Sequence, residues 1–89
     1  MSYRVEYTKR AVKQLKKMDA FTARLLVSWI EAHLVGCEDP RVWGKGLVGN
    51  RAGEWRYRVG DYRILCFIED ERLVIEVFSV GHRREVYDE

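Results

Sequence analysis

Three arginines fall within one short stretch, Trp55-Arg56-Tyr57-Arg58-Val59-Gly60-Asp61-Tyr62-Arg63. Gly60-Asp61 between two alternating apolar and polar runs is a two-residue hairpin signal. A turn there sets Val59 opposite Tyr62 and Arg58 opposite Arg63, with Arg56 one pleat away. Like charges placed directly across a strand pair destabilise it, by up to about 1 kcal/mol. Planar guanidinium groups fit phosphate oxygens in a bidentate manner, so a phosphate-binding face would make that repulsion tolerable. The competing reading is a solvated basic face whose arginine stems cover apolar surface. The segment His82-Arg83-Arg84-Glu85-Val86-Tyr87 favours the first reading, because it follows the last predicted strand and brings basic groups to the same end of the sheet.

The chemistry that suits these residues is cleavage of RNA by its own 2′-hydroxyl. That reaction needs a base for the 2′ proton, cations for the charged phosphorane and an acid for the leaving 5′ oxygen. Arg58, Arg63 and Arg83 supply the cations. Histidine is the side-chain type suited to either proton role, and His82 offers one here. Tyr87 suits proton transfer or stacking on a base. No metal or other cofactor is expected, since the acidic residues show no ligand spacing and there are only two histidines.

These residues need elements to position them. Tyr3 to Tyr7 alternates as a strand with one buried face. Thr8 precedes a helix in which Ala11, Val12, Leu15 and Met18 recur at helical spacing against Lys9, Arg10, Lys13, Lys16 and Lys17. After a break at Asp19-Ala20, a second helix carries Phe21, Leu25, Leu26, Trp29, Ile30, His33 and Leu34 as a broad apolar stripe. Residues 36–53 are loop-rich and punctuated by glycines. Strands are predicted from Trp55 to Val59, Tyr62 to Glu69 and Arg72 to Val80. The order is β-α-α-β-β-β, an α+β fold in which a helical hairpin covers one face of a mainly antiparallel sheet. Residues 1–89 form one domain.

A second two-residue turn at Asp70-Glu71 would pair Phe67 with Val74 and Arg63 with Phe78. One sheet face then holds Trp55, Tyr57, Val59, Tyr62, Ile64, Cys66, Ile68, Leu73, Ile75 and Val77, and belongs under the helices. The other holds Arg56, Arg58, Arg63, Leu65, Phe67, Val74, Glu76 and Phe78. His33 reads as a packed histidine without a chemical role. Trp43 either shields the sheet edge or stacks on RNA.

Hydrophobic residues make up 47% of the chain, enough for a real core, which excludes a disordered tail. No apolar run is long enough to span a membrane, and the start of the chain is too charged for a signal peptide, so a cytoplasmic protein is expected. Cys37 and Cys66 are too few for a disulfide framework and are expected to be reduced, Cys66 buried in a strand. The net charge of +2 conceals segregation. Residues 1–18 hold six basic and one acidic side chain and residues 41–63 six and two, whereas residues 19–40 hold one and four and residues 64–89 three and seven. Two basic blocks point to nucleic acid as partner. The lysine face of the first helix is either a solvated surface or a contact for ribosomal RNA.

The stretch Gly53-Glu54-Trp55-Arg56-Tyr57-Arg58-Val59-Gly60-Asp61-Tyr62-Arg63-Ile64 resembles the core of the RelE/ParE toxin superfamily. Val80-Gly81-His82-Arg83-Arg84-Glu85-Val86-Tyr87 and Lys9-Arg10-Ala11-Val12-Lys13-Gln14-Leu15 resemble it too, so the likeness covers nearly the whole chain. It implies a microbial-RNase-like fold and, for the RelE-like branch, ribosome-dependent cleavage of mRNA in the A site. By resemblance, Arg63 matches the arginine of a Tyr-Arg motif, Arg83 the arginine after Val-Gly-x, and Tyr87 the C-terminal tyrosine. Arg56 and Arg58 stand at basic positions that are commonly lysine in that branch. Arginine keeps the charge but holds its proton, which weakens residue 58 as a general base. His82 also replaces a common lysine and would take over part of the proton transfer. Lys45 and Arg84, with Arg56, would touch RNA. The resemblance further implies a cognate antitoxin, the ribosome and mRNA as partners, and operator DNA only through the antitoxin complex. Leu65, Phe67, Val74 and Phe78, with the helical hairpin, would dock the antitoxin or pack under the C-terminal segment. The alternatives are a ParE-like gyrase inhibitor without nuclease activity and a non-enzymatic operator-binding corepressor.

Overall fold

A computed structural model describes residues 1–84; Glu85, Val86 and Tyr87 lie outside the described residues. The chain runs β1 (Arg4–Tyr7), α1 (Lys9–Lys17), α2 (Ala20–His33), β2 (Lys45–Gly46), β3 (Trp55–Val59), β4 (Tyr62–Glu69) and β5 (Val74–His82), with short 3-10 turns at Pro40–Val42 and Gly49–Arg51. The five strands form one sheet in the order β1-β5-β4-β3-β2, with β1 parallel to β5 and every other pair antiparallel. The predicted α+β order therefore holds, with the two-residue β2 added at one edge. That strand carries no alternation to announce it, yet it sets Lys45 opposite Arg56.

Both helix starts are capped by the side chains that favour such positions. Thr8 accepts a hydrogen bond from Ala11 N at 3.2 Å. Asp19 accepts from Thr22 N at 3.0 Å and from the Thr22 hydroxyl at 2.7 Å. Each satisfies a backbone donor that the first helical turn leaves open. Ala11, Leu26, Ile30 and Leu34 pack on Tyr57, Ile64, Cys66, Ile75, Val77 and Val80, all at most 1% exposed. Removing side chains this completely from water contributes roughly 1.5–3 kcal/mol for each large aliphatic group. The stripe of α2 that packs is narrower than its sequence suggests. Leu26, Ile30 and Leu34 are buried, whereas Phe21 is 73% and Leu25 49% exposed.

The β3–β4 pairing follows the predicted register, with Val59 opposite Tyr62 and Arg58 opposite Arg63. Gly60, at φ +60°, supplies the positive φ that a tight hairpin turn needs. The β4–β5 pairing departs from it. The turn holds four residues, Asp70 to Leu73, so Glu69 pairs with Val74, and Leu73 adopts a left-handed φ of 54°. Successive bonds from Arg72 N to Glu69 O and from Leu73 N to Asp70 O, both 3.2 Å, close this turn. A β-bulge then inserts Phe78 between the pairs Cys66–Val77 and Leu65–Ser79. As a result Arg63 faces Gly81, not Phe78.

Candidate functional site

On the sheet face away from the helices, the ladder sets two rows of residues side by side. Lys45, Arg56, Leu65 and Ser79 form one, and Arg58, Arg63 and Gly81 form the next. Gly81, which faces Arg63 on the β5 side, brings no side chain and is itself buried. Leu65 and Ser79 are buried and floor the row, whereas Arg58 and Lys45 are exposed and Arg56 is half-buried. Phe67 and Phe78 stack at 4.6 Å further along the same face.

Arg63 is the unusual member. It is only 5% exposed. Its Nη1 donates to the carbonyls of Tyr62 (3.1 Å) and Gly60 (3.3 Å), which aims the guanidinium at the hairpin turn. Its Nε is buried and has no hydrogen-bond partner. Among the described residues no carboxylate pairs with this cation. A buried charge held only by neutral oxygens, with another cation across the ladder, is costly unless an anion completes it.

Arg83 reaches the same end of the sheet. Its amide donates to Asp61 O at 2.9 Å, which fixes it against the β3–β4 turn, and both Arg83 and Arg84 are exposed. His82 goes elsewhere. It pairs with Tyr62 and meets that ring edge-on at 5.6 Å, on the face that carries Val59. Its Nδ1 accepts from Arg84 N at 3.3 Å. The structure thus gathers Lys45, Arg56, Arg58, Arg63 and the start of the Arg83-Arg84 segment, and sets His82 across the sheet from them at its rim. The bulge at Phe78 causes this, since one extra residue exchanges the faces of everything after it. Tyr87 lies outside the described residues.

The remaining candidates have structural surroundings. His33 Nδ1 lies 2.9 Å from Trp29 O, and its ring stacks on Trp29 at 4.4 Å. Trp43 packs edge-on against His33, and its carbonyl accepts from Trp55 Nε1 at 2.8 Å, so it belongs to the sheet's edge cover. Cys37 and Cys66 are both free thiols. Burial pushes the Cys66 thiol far above its ordinary pKa, and burial followed by Asp39 raises that of Cys37, so both stay protonated. Sequence reasoning passed over Gln14 as a contributor, although it bonds Ser79 and Val80 beside the site. A lone glutamine on a lysine-rich helix carries no signal of its own.

A helical hairpin on one face of a mixed five-stranded sheet, with a cationic cluster on the other, defines a class of small basic α+β domains. The family described as ParE toxin of type II toxin-antitoxin system, parDE, matches this chain over residues 5–87. Toxin RelG of Mycobacterium tuberculosis is 31% identical over 87 residues, 98% of each chain. The toxin-antitoxin complex RelBE2 of the same organism contains a chain that is 30% identical, with a TM-score of 0.84 over 93% of both. The isolated E. coli RelE toxin is 27% identical, with a TM-score of 0.72 over 98% of this chain and 93% of that one. The chain belongs to the RelE/ParE superfamily of toxins of type II toxin-antitoxin systems, and its fold is that of the RelE-like members.

Proposed function

We propose that this toxin is an endoribonuclease that cleaves mRNA in the ribosomal A site and so stops translation. One observation carries the reading: buried Arg63, with an unpartnered Nε and no carboxylate beside it among the described residues, opposite exposed Arg58. A scissile phosphate would receive donors from Arg63, Arg58 and Arg83, and the three charges would stabilise the phosphorane in a site where arginine cannot itself give up a proton. Lys45, Arg56 and Arg84 flank the cluster as RNA-backbone contacts. Proton transfer would fall to Tyr87, since His82 lies on the other face of the sheet from the three arginines. Neither a metal nor another cofactor is needed for this route.

The family includes toxins solved with antitoxins, among them RelBE2 and the intact E. coli RelBE complex. A cognate antitoxin is the natural partner here too. Two apolar surfaces suit it: the Phe67–Phe78 stack, and a groove of about 390 Å³ between the helices lined by Tyr7, Val12, Leu15, Lys16, Ala23, Val27 and Glu31. Operator DNA would be reached through that complex. No described helix is long and apolar enough to cross a membrane, and the ribosome as target implies the cytoplasm.

The match to a family described as ParE favours a second reading, a gyrase inhibitor without nuclease chemistry. Expression of the chain in a bacterium separates the two. The nuclease reading predicts growth arrest without SOS induction, relieved by Arg63→Ala or Arg83→Ala in variants that fold. SOS induction with intact mRNA would establish the gyrase reading. Absence of any growth arrest would leave only an operator-binding corepressor.

A further inference from the structure

β1 is too short to edge the whole of β5. It pairs with Val74 to Val77, and beyond Val77 no strand among the described residues lies on that side of β5. Side chains at the start of α1 take the place of a strand. Thr8 N donates to Val77 O at 2.9 Å, and the Thr8 hydroxyl donates to Phe78 O at 3.4 Å. Val80 N donates to Gln14 Oε1 at 2.7 Å, and Gln14 Nε2 donates to the Ser79 hydroxyl at 3.4 Å. The four residues Val77 to Val80, which span the bulge, are thus held by Thr8 at the cap of α1 and by Gln14 within it.

The register they hold matters for the basic face. Alternate amides along a strand point to opposite edges, and alternate side chains to opposite faces. Without the extra residue, β5 would set Val80 opposite Arg63, bring His82 onto the arginine face and turn Arg83 away from it. It would also direct the Val80 amide toward β4, away from α1. The observed register alone offers the Val80 N–H to Gln14, places Gly81 beside Arg63 and fixes Arg83 against the β3–β4 turn. Gln14 is also the one uncharged polar residue within α1.

We propose that Gln14 is a positioning residue for the basic face: its carboxamide locks β5 in the bulged register that aligns Gly81 and Arg83 with Arg63. This rests on the reading of that face as a phosphate site. Gln14→Leu removes both hydrogen bonds at similar volume, and Gln14→Glu keeps an acceptor for Val80 N and for the Ser79 hydroxyl. The readouts are hydrogen exchange at the Val80 amide, with Ile75 as internal control, and anisotropy of a fluorescein-labelled ten-nucleotide single-stranded RNA. Gln14→Leu is expected to accelerate Val80 exchange with Ile75 unchanged and to weaken RNA binding roughly three- to tenfold. Gln14→Glu is expected to restore both. Combined with Arg83→Ala the loss should be less than additive, and combined with Lys45→Ala additive. If Gln14→Leu does not fold, Gln14→Asn withdraws the same amide by one methylene and is read in the same way.

Unchanged Val80 exchange in Gln14→Leu would overturn the proposal. Faster exchange with RNA affinity unchanged, or with full additivity toward Arg83→Ala, would reduce Gln14 to a purely structural residue and overturn it as well. If Arg63→Ala and Arg83→Ala both bind this RNA as the parent chain does, the phosphate reading itself fails and the positioning role falls with it.

Discussion

Arg63 and Arg58 set function against stability at the scale of single residues. Their opposition across the β3–β4 ladder costs the fold up to about 1 kcal/mol, and neither has a carboxylate beside it among the described residues. Replacing exposed Arg58 with threonine should raise the unfolding free energy by about 0.5–1 kcal/mol in urea titrations while weakening RNA binding. A variant that binds less RNA without gaining stability would show that the two cations are not in conflict. This pair was legible in the sequence because a two-residue turn at Gly60-Asp61 admits one register, and alternation then assigns every face. His82 was not. Its predicted company with the arginines came from its place directly after the predicted last strand, and the extra residue Phe78, which no local pattern marks, sets it on the other face.

At the scale of elements, the loop that leads to Lys45 is moored by one carboxylate. Asp70 accepts from Tyr3 Oη at 2.6 Å and from both terminal nitrogens of Arg41 at 3.0 and 3.1 Å. Arg41 lies over the Trp55 ring at 5.9 Å. The Arg41 guanidinium, and after it the Tyr3 hydroxyl, hold the Asp70 carboxyl below its ordinary pKa. A lowered folded value means that this contribution is complete above the unfolded pKa of about 3.9 and is lost as pH falls through the folded one. Asp70→Asn should therefore lower the melting temperature at pH 7 and leave it nearly unchanged near pH 2. An equal loss at both pH values would contradict the charge-based mooring. The packing of α2 makes a second, larger prediction: Ile30→Ala should cost about 2–5 kcal/mol, read from denaturant unfolding, because the side chain is fully enclosed. The helices were legible from apolar spacing and from the caps at Thr8 and Asp19. The strand β2 and the four-residue turn before β5 were not, since one is too short to alternate and the other is closed by local backbone bonds and a left-handed Leu73.

At the scale of the whole molecule, a net charge of +2 understates the field that an RNA strand would meet on the proposed site. Lys45, Arg56, Arg58 and Arg63 share one sheet face, and the basic side chains of residues 9–17 belong to α1 at the β5 edge. Binding of single-stranded RNA should then weaken with salt along a log–log slope of roughly −2 to −3, about 0.7 for each of three or four phosphates neutralised. A slope near zero would mean that the basic face takes no phosphate.

The central claim is that the Arg58–Arg63–Arg83 end of the sheet cuts RNA held by the ribosome. The most direct test programs purified ribosomes with a defined mRNA, adds the protein and maps the new 5′ ends. The account predicts cuts at the A-site codon, lost with Arg63→Ala and absent from the same mRNA without ribosomes. An uncut message under translation arrest, or cutting that survives Arg63→Ala in a folded protein, would contradict it.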